Sequence, residues 1–237
     1  MSSGHNSRPS LLSTDLTTLF DIRYPIISAP MSGAAGANLA IAVSQAGGLG
    51  LIAGGAGNAF SWLKQQIIQC NNTKYSNGTK LKYGVGLITL GLPYFPQAFE
   101  YVLAAKPTAI LFSFGDAKAY AQRVKQAGIE VISQIQNVQD GISAAEYSDV
   151  IVCQGEEAGG HGQSGLSTWT LLPLLQKKLR ELGKTVPLVA AGGIGDENGL
   201  ITALDMGATG ILMGTRFLAS PESFLSNEDK LRIIKAT

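Results

Sequence analysis

Short apolar runs separated by longer mixed stretches set the rhythm of this chain. Eight candidate strands, most of them nearly continuous in apolar residues, are Pro25–Ala29, Gly48–Ala53, Lys82–Ile88, Ala109–Phe112, Glu130–Gln134, Val150–Gln154, Pro187–Ala191 and Gly210–Met213. Strands of that kind are covered on both faces, as in a parallel sheet lying under helices. The stretches between them carry helical patterns. Asn38–Ala46 puts Leu39, Val43 and Ala46 on one face, and Asp116–Ala127 runs into Gly128, a helix stop. Asn137–Glu146, Thr168–Leu182 and Glu197–Met206 fill later gaps. Ser226–Lys235 reads as a last helix, with Ser226 as its N-cap. Alternating strands and helices predict a single (β/α)8 barrel over residues 21–237, with a doubly wound open sheet as the alternative. Residues 1–20 read as a disordered tail and Asn71–Lys80 as a surface loop.

Composition narrows the function classes. A length of 237 residues suits one α/β barrel, and 45% apolar residues fill its core. The 29 glycines exceed the usual share of about 7% and gather at the ends of the apolar runs. Glycine there lets backbone turn tightly or approach a ligand. A net charge of +1 with no basic stripe argues against a nucleic-acid partner. No apolar run nears the ~20 residues that span a bilayer, and the polar first ten residues lack the apolar core of a signal peptide. Cys70 and Cys153 show no metal or redox spacing. A cytoplasmic enzyme of small molecules, holding no metal, is the expectation.

In an α/β barrel the chemistry lies just beyond the C-terminal ends of the strands. After the first run stand Ala29, Pro30 and Met31, small or rigid enough for backbone to meet a planar ligand. After the sixth comes Gln154-Gly155-Glu156-Glu157-Ala158-Gly159-Gly160-His161-Gly162. Gly159 and Gly160 can turn N–H groups toward an anion, and Gln154 offers both donor and acceptor. His161 supplies an imidazole, the side chain suited to proton transfer near neutral pH. The other histidine, His5, lies in the expected tail, so any neutral-pH imidazole base is His161. Gly192 and Gly193 follow the seventh run. Met213, Gly214, Thr215 and Arg216 end or follow the eighth. The seventh and eighth loops of such barrels often hold phosphate. Glu156 and Glu157, adjacent on a loop, are not expected to work as an acid–base pair. Cys153 is expected to be inert core, and Tyr94 and Phe95 are candidates for a pocket wall.

The segments PIISAPMSG (25–33), AVSQAGGLGLIAGG (42–55), VCQGEEAGGHGQ (152–163), PLVAAGGIGD (187–196) and GATGILMGTRFLASPES (207–223) resemble the nitronate monooxygenase family, also called 2-nitropropane dioxygenase-like proteins. The resemblance implies an FMN enzyme that oxidises alkyl nitronates with O2. It places Pro30 and Met31 against the flavin and Gln154 at its ring. It gives Gly159, Gly193, Gly214 and Thr215 to the phosphate and ribityl chain, and makes His161 a base or substrate anchor. Two departures stand out. Gly86 occupies a place where family members often carry asparagine. Members also continue beyond the point where this chain ends to form a helical lid, so a reduced or absent lid is expected. A flavin-dependent enoyl reductase using a nicotinamide cofactor shares the GGH and MGTRF segments among these, and a non-redox isomerase, dehydratase, cyclase or inactive binding barrel is a further alternative. Pairing of two copies through the outer helices is compatible with the fold.

Overall fold

The computed structural model describes residues 12–54, 60–162 and 165–236. Eight strands lie parallel in the order β1-β8-β7-β6-β5-β4-β3-β2. They are β1 (Ile26–Ser28), β2 (Gly50–Ala53), β3 (Tyr83–Ile88), β4 (Ala109–Ser113), β5 (Glu130–Ile135), β6 (Val150–Gln154), β7 (Leu188–Ala191) and β8 (Gly210–Met213). Each falls within a residue or two of an apolar run picked out above. The helices are α1 (Asp15–Phe20), α2 (Ala37–Ala46), α3 (Phe60–Asn72), α4 (Pro96–Ala105), α5 (Lys118–Gln126), α6 (Val138–Ala144), α7 (Thr168–Glu181), α8 (Glu197–Asp205), α9 (Thr215–Leu218) and α10 (Asn227–Ala236), with a 3-10 turn at Thr89–Tyr94.

Closure of the barrel falls between β1 and β2, where a short parallel bridge joins Ile27 to Leu49. Ser28 N–H donates to the Leu49 carbonyl at 3.0 Å and Leu49 N–H to the Ile26 carbonyl at 2.9 Å. The fully buried Ser28 hydroxyl accepts from Leu51 N–H at 3.0 Å and continues the seam where the ladder stops. The sheet is therefore a barrel and not an open doubly wound sheet.

Strand residues alternate between the barrel interior and the layer beneath the helices. Ile27, Leu49, Leu51, Ala109, Leu111, Ile132, Val150, Val152, Val189 and Leu212 fill the interior. Ile151, Cys153, Ala190, Ile211 and Met213 pack outward against helices that include α7. The outer face of β3 and β4 packs Val85, Leu87, Ile110 and Phe112 beneath α3 and α4.

Two expectations are corrected. The segment read as a disordered tail forms α1 from Asp15 onward, closed by a reciprocal cap between Thr14 and Thr17. Its Leu16 and Phe20, one helical turn apart, are buried in the interior cluster. Leu16 sits so close to β8 that a Cβ on Gly210 would lie 2.4 Å from its Cδ2. Residues 1–11 lie outside the described residues. The loop expected from Asn71 begins later, because α3 runs to Asn72 with Leu63, Ile67 and Cys70 on its buried face. The last helix starts as read: Asp229 N–H donates to Ser226 Oγ at 3.1 Å. Among the described residues no helix is long and apolar enough to cross a membrane.

Candidate active site

The strand alternation decides what lines the mouth. Inward positions near the mouth include Ala29 just beyond β1, Gly86 on β3, Ser113 on β4, Gln134 on β5, Gln154 on β6, Ala191 on β7 and Gly214 beyond β8. All but the two glutamines are small, which leaves a low floor across the β7–β8–β1 side. A Cβ on Gly214 would lie 3.5 Å from Met31 Sδ and 3.6 Å from Ala29 Cβ, so these three meet there. Pro30 leans across the opening onto Gly86, where a Cβ would come within 2.2 Å of the proline Cγ. An asparagine at 86 and this proline position are therefore incompatible. The departure at 86 is matched by the ring that fills its space.

Three glycine-bearing turns converge beside this floor. A Cβ on Gly159 would lie 3.6 Å from Thr215 Oγ1, and one on Gly193 would lie 3.4 Å from Glu157 Cβ. Gly192 is tighter still, since its Cβ would sit 2.7 Å from Thr168 Oγ1 and 2.9 Å from Ala158 N. Gly160, Gly192 and Gly193 all have positive φ, at 88°, 119° and 68°, a region that glycine enters without steric cost. Among the described residues, the backbone N–H groups of Gly159, Gly160, Gly192, Gly193 and Thr215 meet no acceptor. A group of free N–H donors beside a threonine hydroxyl suits a bound anion such as a phosphate. The first turn of α8 is not part of that donor set, because Asp196 Oδ1 already accepts from Gly199 N–H at 2.9 Å. That bond holds the Asp196 carboxyl below the usual carboxylate range, with Asn198 and the nearby Arg216 acting in the same direction.

A clamp built on the buried Thr168 holds two of the turns together. Glu157 Oε2 accepts from Thr168 N–H at 2.8 Å, at the first turn of α7. The Thr168 hydroxyl lies 3.0 Å from the same oxygen, 2.9 Å from the Ala191 carbonyl and 3.2 Å from the Gly192 carbonyl. Glu157 is thus a structural anchor, and its neighbour Glu156 interacts elsewhere, with Gly165 N–H. The two do not form a catalytic pair, as the sequence led one to expect.

Gln154 and His161 are joined through residues that sequence reading missed. Gln154 Oε1 accepts from Gln134 Nε2 at 2.6 Å and from Gln136 Nε2 at 2.9 Å, and Gln136 Nε2 also donates to the His161 carbonyl at 2.8 Å. The exposed His161 ring stands edge-on to Phe114, with centroids 5.8 Å apart. Phe114 itself has φ 59°, strained for a bulky side chain. Beside these residues opens a cleft of about 500 Å3, whose lining includes Phe114, Asp116, Gln134, Gln136, Tyr147 and His161. Burial, with the Asp116 carboxylate adding to it, pushes the Tyr147 hydroxyl above its ordinary value against the lowering effect of its bonds to Ala117 and Ser133. Tyr147 is therefore a neutral donor at working pH.

Some expected residues sit elsewhere. The Met213 side chain faces the helix layer behind the sheet, and only its carbonyl serves the mouth by accepting from Ala29 N–H at 2.8 Å. Tyr94 is largely exposed on the 3-10 turn and does not line the cleft. Cys153 is inert as expected, since burial pushes its thiol up to about 12.

Comparison with known proteins agrees with this geometry. A family model described as nitronate monooxygenase matches residues 13–73 and 64–237. A probable nitronate monooxygenase from Staphylococcus saprophyticus is 31% identical, over 90% of this chain and 70% of its own. The nitronate monooxygenase of Neurospora crassa is 32% identical, over 93% and 68%. A (3aS,4S,5R,7aS)-5-hydroxy-7a-methyl-1-oxo-octahydro-1H-indene-4-carboxyl-CoA dehydrogenase from Rhodococcus jostii is 31% identical over 93% of this chain, which spans only 59% of that relative. Among solved structures, FabK from Thermotoga maritima superposes with a TM-score of 0.81 at 30% identity, covering 95% of this chain and 69% of its own. Nitroalkane oxidase from Streptomyces ansochromogenes shares the fold with a TM-score of 0.77 at 24% identity, over 91% of this chain and 71% of its own. With a barrel of matching topology and relatives of this identity along nearly its whole length, the chain belongs to the nitronate monooxygenase family.

Proposed function

We propose that this chain is an FMN-dependent oxidoreductase that oxidises alkyl nitronates or nitroalkanes with O2 to a carbonyl compound and nitrite. The observation that carries the reading is the convergence of the 158–160, 192–193 and 214–215 turns, with unengaged N–H groups, beside a floor of small residues. Gly159, Gly160, Gly192, Gly193, Gly214 and Thr215 would hold the phosphate and its chain. Ala29, Pro30 and Met31 would lie against the ring, with Gln154 at its edge. Bound FMN would supply the redox chemistry, since no protein side chain can carry it.

The protein's own work is positioning and proton transfer. His161 stands where the cleft meets the mouth, and its imidazole would take the carbon-bound proton of a nitroalkane or orient a nitronate already ionised. Phe114 packs against that ring in an edge-on contact. The cleft toward Tyr147 would receive the organic part of the substrate. Two free, buried thiols suit a reducing compartment such as the cytoplasm. The test is O2 uptake and nitrite release by FMN-loaded protein with 2-nitropropane or propionate 3-nitronate. Rates no higher than free FMN would reject the substrate class.

A second reading, a flavin-dependent enoyl reductase, is supported by the likeness to FabK. On that reading the cleft receives an acyl thioester, and a nicotinamide cofactor reduces the flavin. Rapid anaerobic bleaching by NADPH, with no nitronate turnover, would select it.

A further inference from the structure

The amides at the mouth are not free to choose their direction. The chain of constraint starts at a backbone carbonyl, which can only accept. Gln136 places Nε2 2.8 Å from the His161 carbonyl. A reversed amide would set oxygen against oxygen there, so the NH2 is fixed on that side. The second Gln136 hydrogen then points to Gln154, 2.9 Å away, which must meet it with Oε1. The Gln134 atom 2.6 Å from the same oxygen must in turn be its Nε2. A carboxamide oxygen has two lone pairs, and both are now taken. What Gln154 has left to offer a ligand is its NH2. Gln154 is only 8% exposed, at the last inward position of β6.

We infer that Gln136 and Gln134 are positioning residues. They lock the Gln154 amide so that this chain presents a hydrogen-bond donor, and never an acceptor, to a flavin ring at the mouth. The inference rests on the flavin reading above. Reduced flavin carries more negative charge than oxidised flavin. A fixed donor therefore stabilises the reduced form and raises its potential. An amide free to rotate would present its oxygen part of the time and lose that preference. One net hydrogen bond corresponds to about a tenfold change in equilibrium, which is ~30 mV for a two-electron couple.

The test is the reduction potential of protein-bound FMN, measured by titration against an indicator dye. The set is wild type, Gln136→Leu, Gln154→Leu and the double variant. Gln136→Leu should weaken the preference for reduced flavin about tenfold, a potential ~30 mV more negative. In the Gln154→Leu background the same change should have no further effect. An unmoved potential in Gln136→Leu overturns the inference. So does an equal shift in both backgrounds, since Gln136 would then be acting only through the turn at His161. Should Gln136→Leu fail to fold or to hold FMN, Gln136→Met, which keeps the length of the side chain but donates no hydrogen bond, should move the potential in the same direction. An unchanged value there would count equally against it. A flavin-free readout runs alongside: in wild-type apoprotein the Gln136 side-chain NH2 should exchange with water more slowly than that of Gln154, and the reverse order would contradict the lock. Wild-type protein that takes up no FMN overturns the proposed function and this inference with it. Flavin binding with an unmoved potential overturns the inference alone.

Discussion

Replacing Thr168 by valine isolates the clamp that joins the 157–160 turn to the 191–193 turn. Valine has nearly the shape of threonine, so no cavity is opened and the buried loss is one O–H donor. That donor stands within 2.9–3.2 Å of three acceptors, Ala191 O, Glu157 Oε2 and Gly192 O, and can serve one at a time. Glu157 retains the Thr168 N–H, a backbone bond unaffected by the side chain. The expected cost is therefore that of one buried hydrogen bond with its acceptor left behind, about 1–3 kcal/mol. A domain of this size loses roughly 2–4 °C of Tm per kcal/mol, so the melting temperature should fall by about 2–12 °C. The same loss should appear in flavin binding, because the clamp holds two of the three phosphate turns in register. A weakening of FMN binding by about tenfold corresponds to ~1.4 kcal/mol. Scanning calorimetry gives the first number and quenching of FMN fluorescence the second. A lower Tm with unchanged FMN affinity would refute the coupling of the clamp to the site, and an unchanged Tm would refute the clamp itself.

Four further outcomes are expected. His161→Ala should keep bound flavin but lose at least about a hundredfold in kcat/KM with 2-nitropropane, the scale of a missing general base. An undiminished rate would remove His161 from the chemistry. Gly86→Asn should displace Pro30, whose Cγ would lie 2.2 Å from the new Cβ, and cost about 1–3 kcal/mol of stability in denaturant unfolding. Asp196→Ala should lower Tm at neutral pH. The folded carboxyl is held below its ordinary value, so its stabilisation is present above the unfolded value and is lost as pH falls through the folded one. The gap between variant and wild type should accordingly close on acidification, and a gap that widens would reverse the assignment. Cys70 and Cys153, both buried with thiols pushed up to about 12, should react with a thiol reagent only after unfolding.

The strands were legible because their chemistry is simple. Val150–Gln154 and Gly210–Met213 are short apolar runs bounded by turns, and their bounds coincide with β6 and β8. The rim glycines were legible for a related reason, since glycine is concentrated where backbone must turn with positive φ. Two of the helices that the sequence reading did not pick out, α1 and α3, had weaker outlines. In α1 the apolar positions Leu16 and Phe20 are only one turn apart and set among threonines, and in α3 Leu63, Ile67 and Cys70 are diluted by glutamines and asparagines. The glutamine network was missed although it left a signal. Gln154 is the polar residue at the last inward position of an otherwise apolar strand, and Gln134 holds the corresponding position on β5. The loops after the first, sixth, seventh and eighth runs were read for chemistry, and the end of β5 was not. The Glu157–Thr168 clamp had no local signal, because its partners are 11 residues apart in the chain and meet only when α7 packs back on the barrel.

The phosphate cradle is the feature on which the flavin assignment turns, and a pair of titrations tests it most directly: FMN and riboflavin, which share the ring and differ by the phosphate. If the bare N–H groups of the three turns receive the phosphate, loss of several charge-assisted hydrogen bonds of about 1.5–3 kcal/mol each should make riboflavin bind at least a hundredfold more weakly than FMN. Equal affinity for the two, or no binding of either, would contradict the site as described.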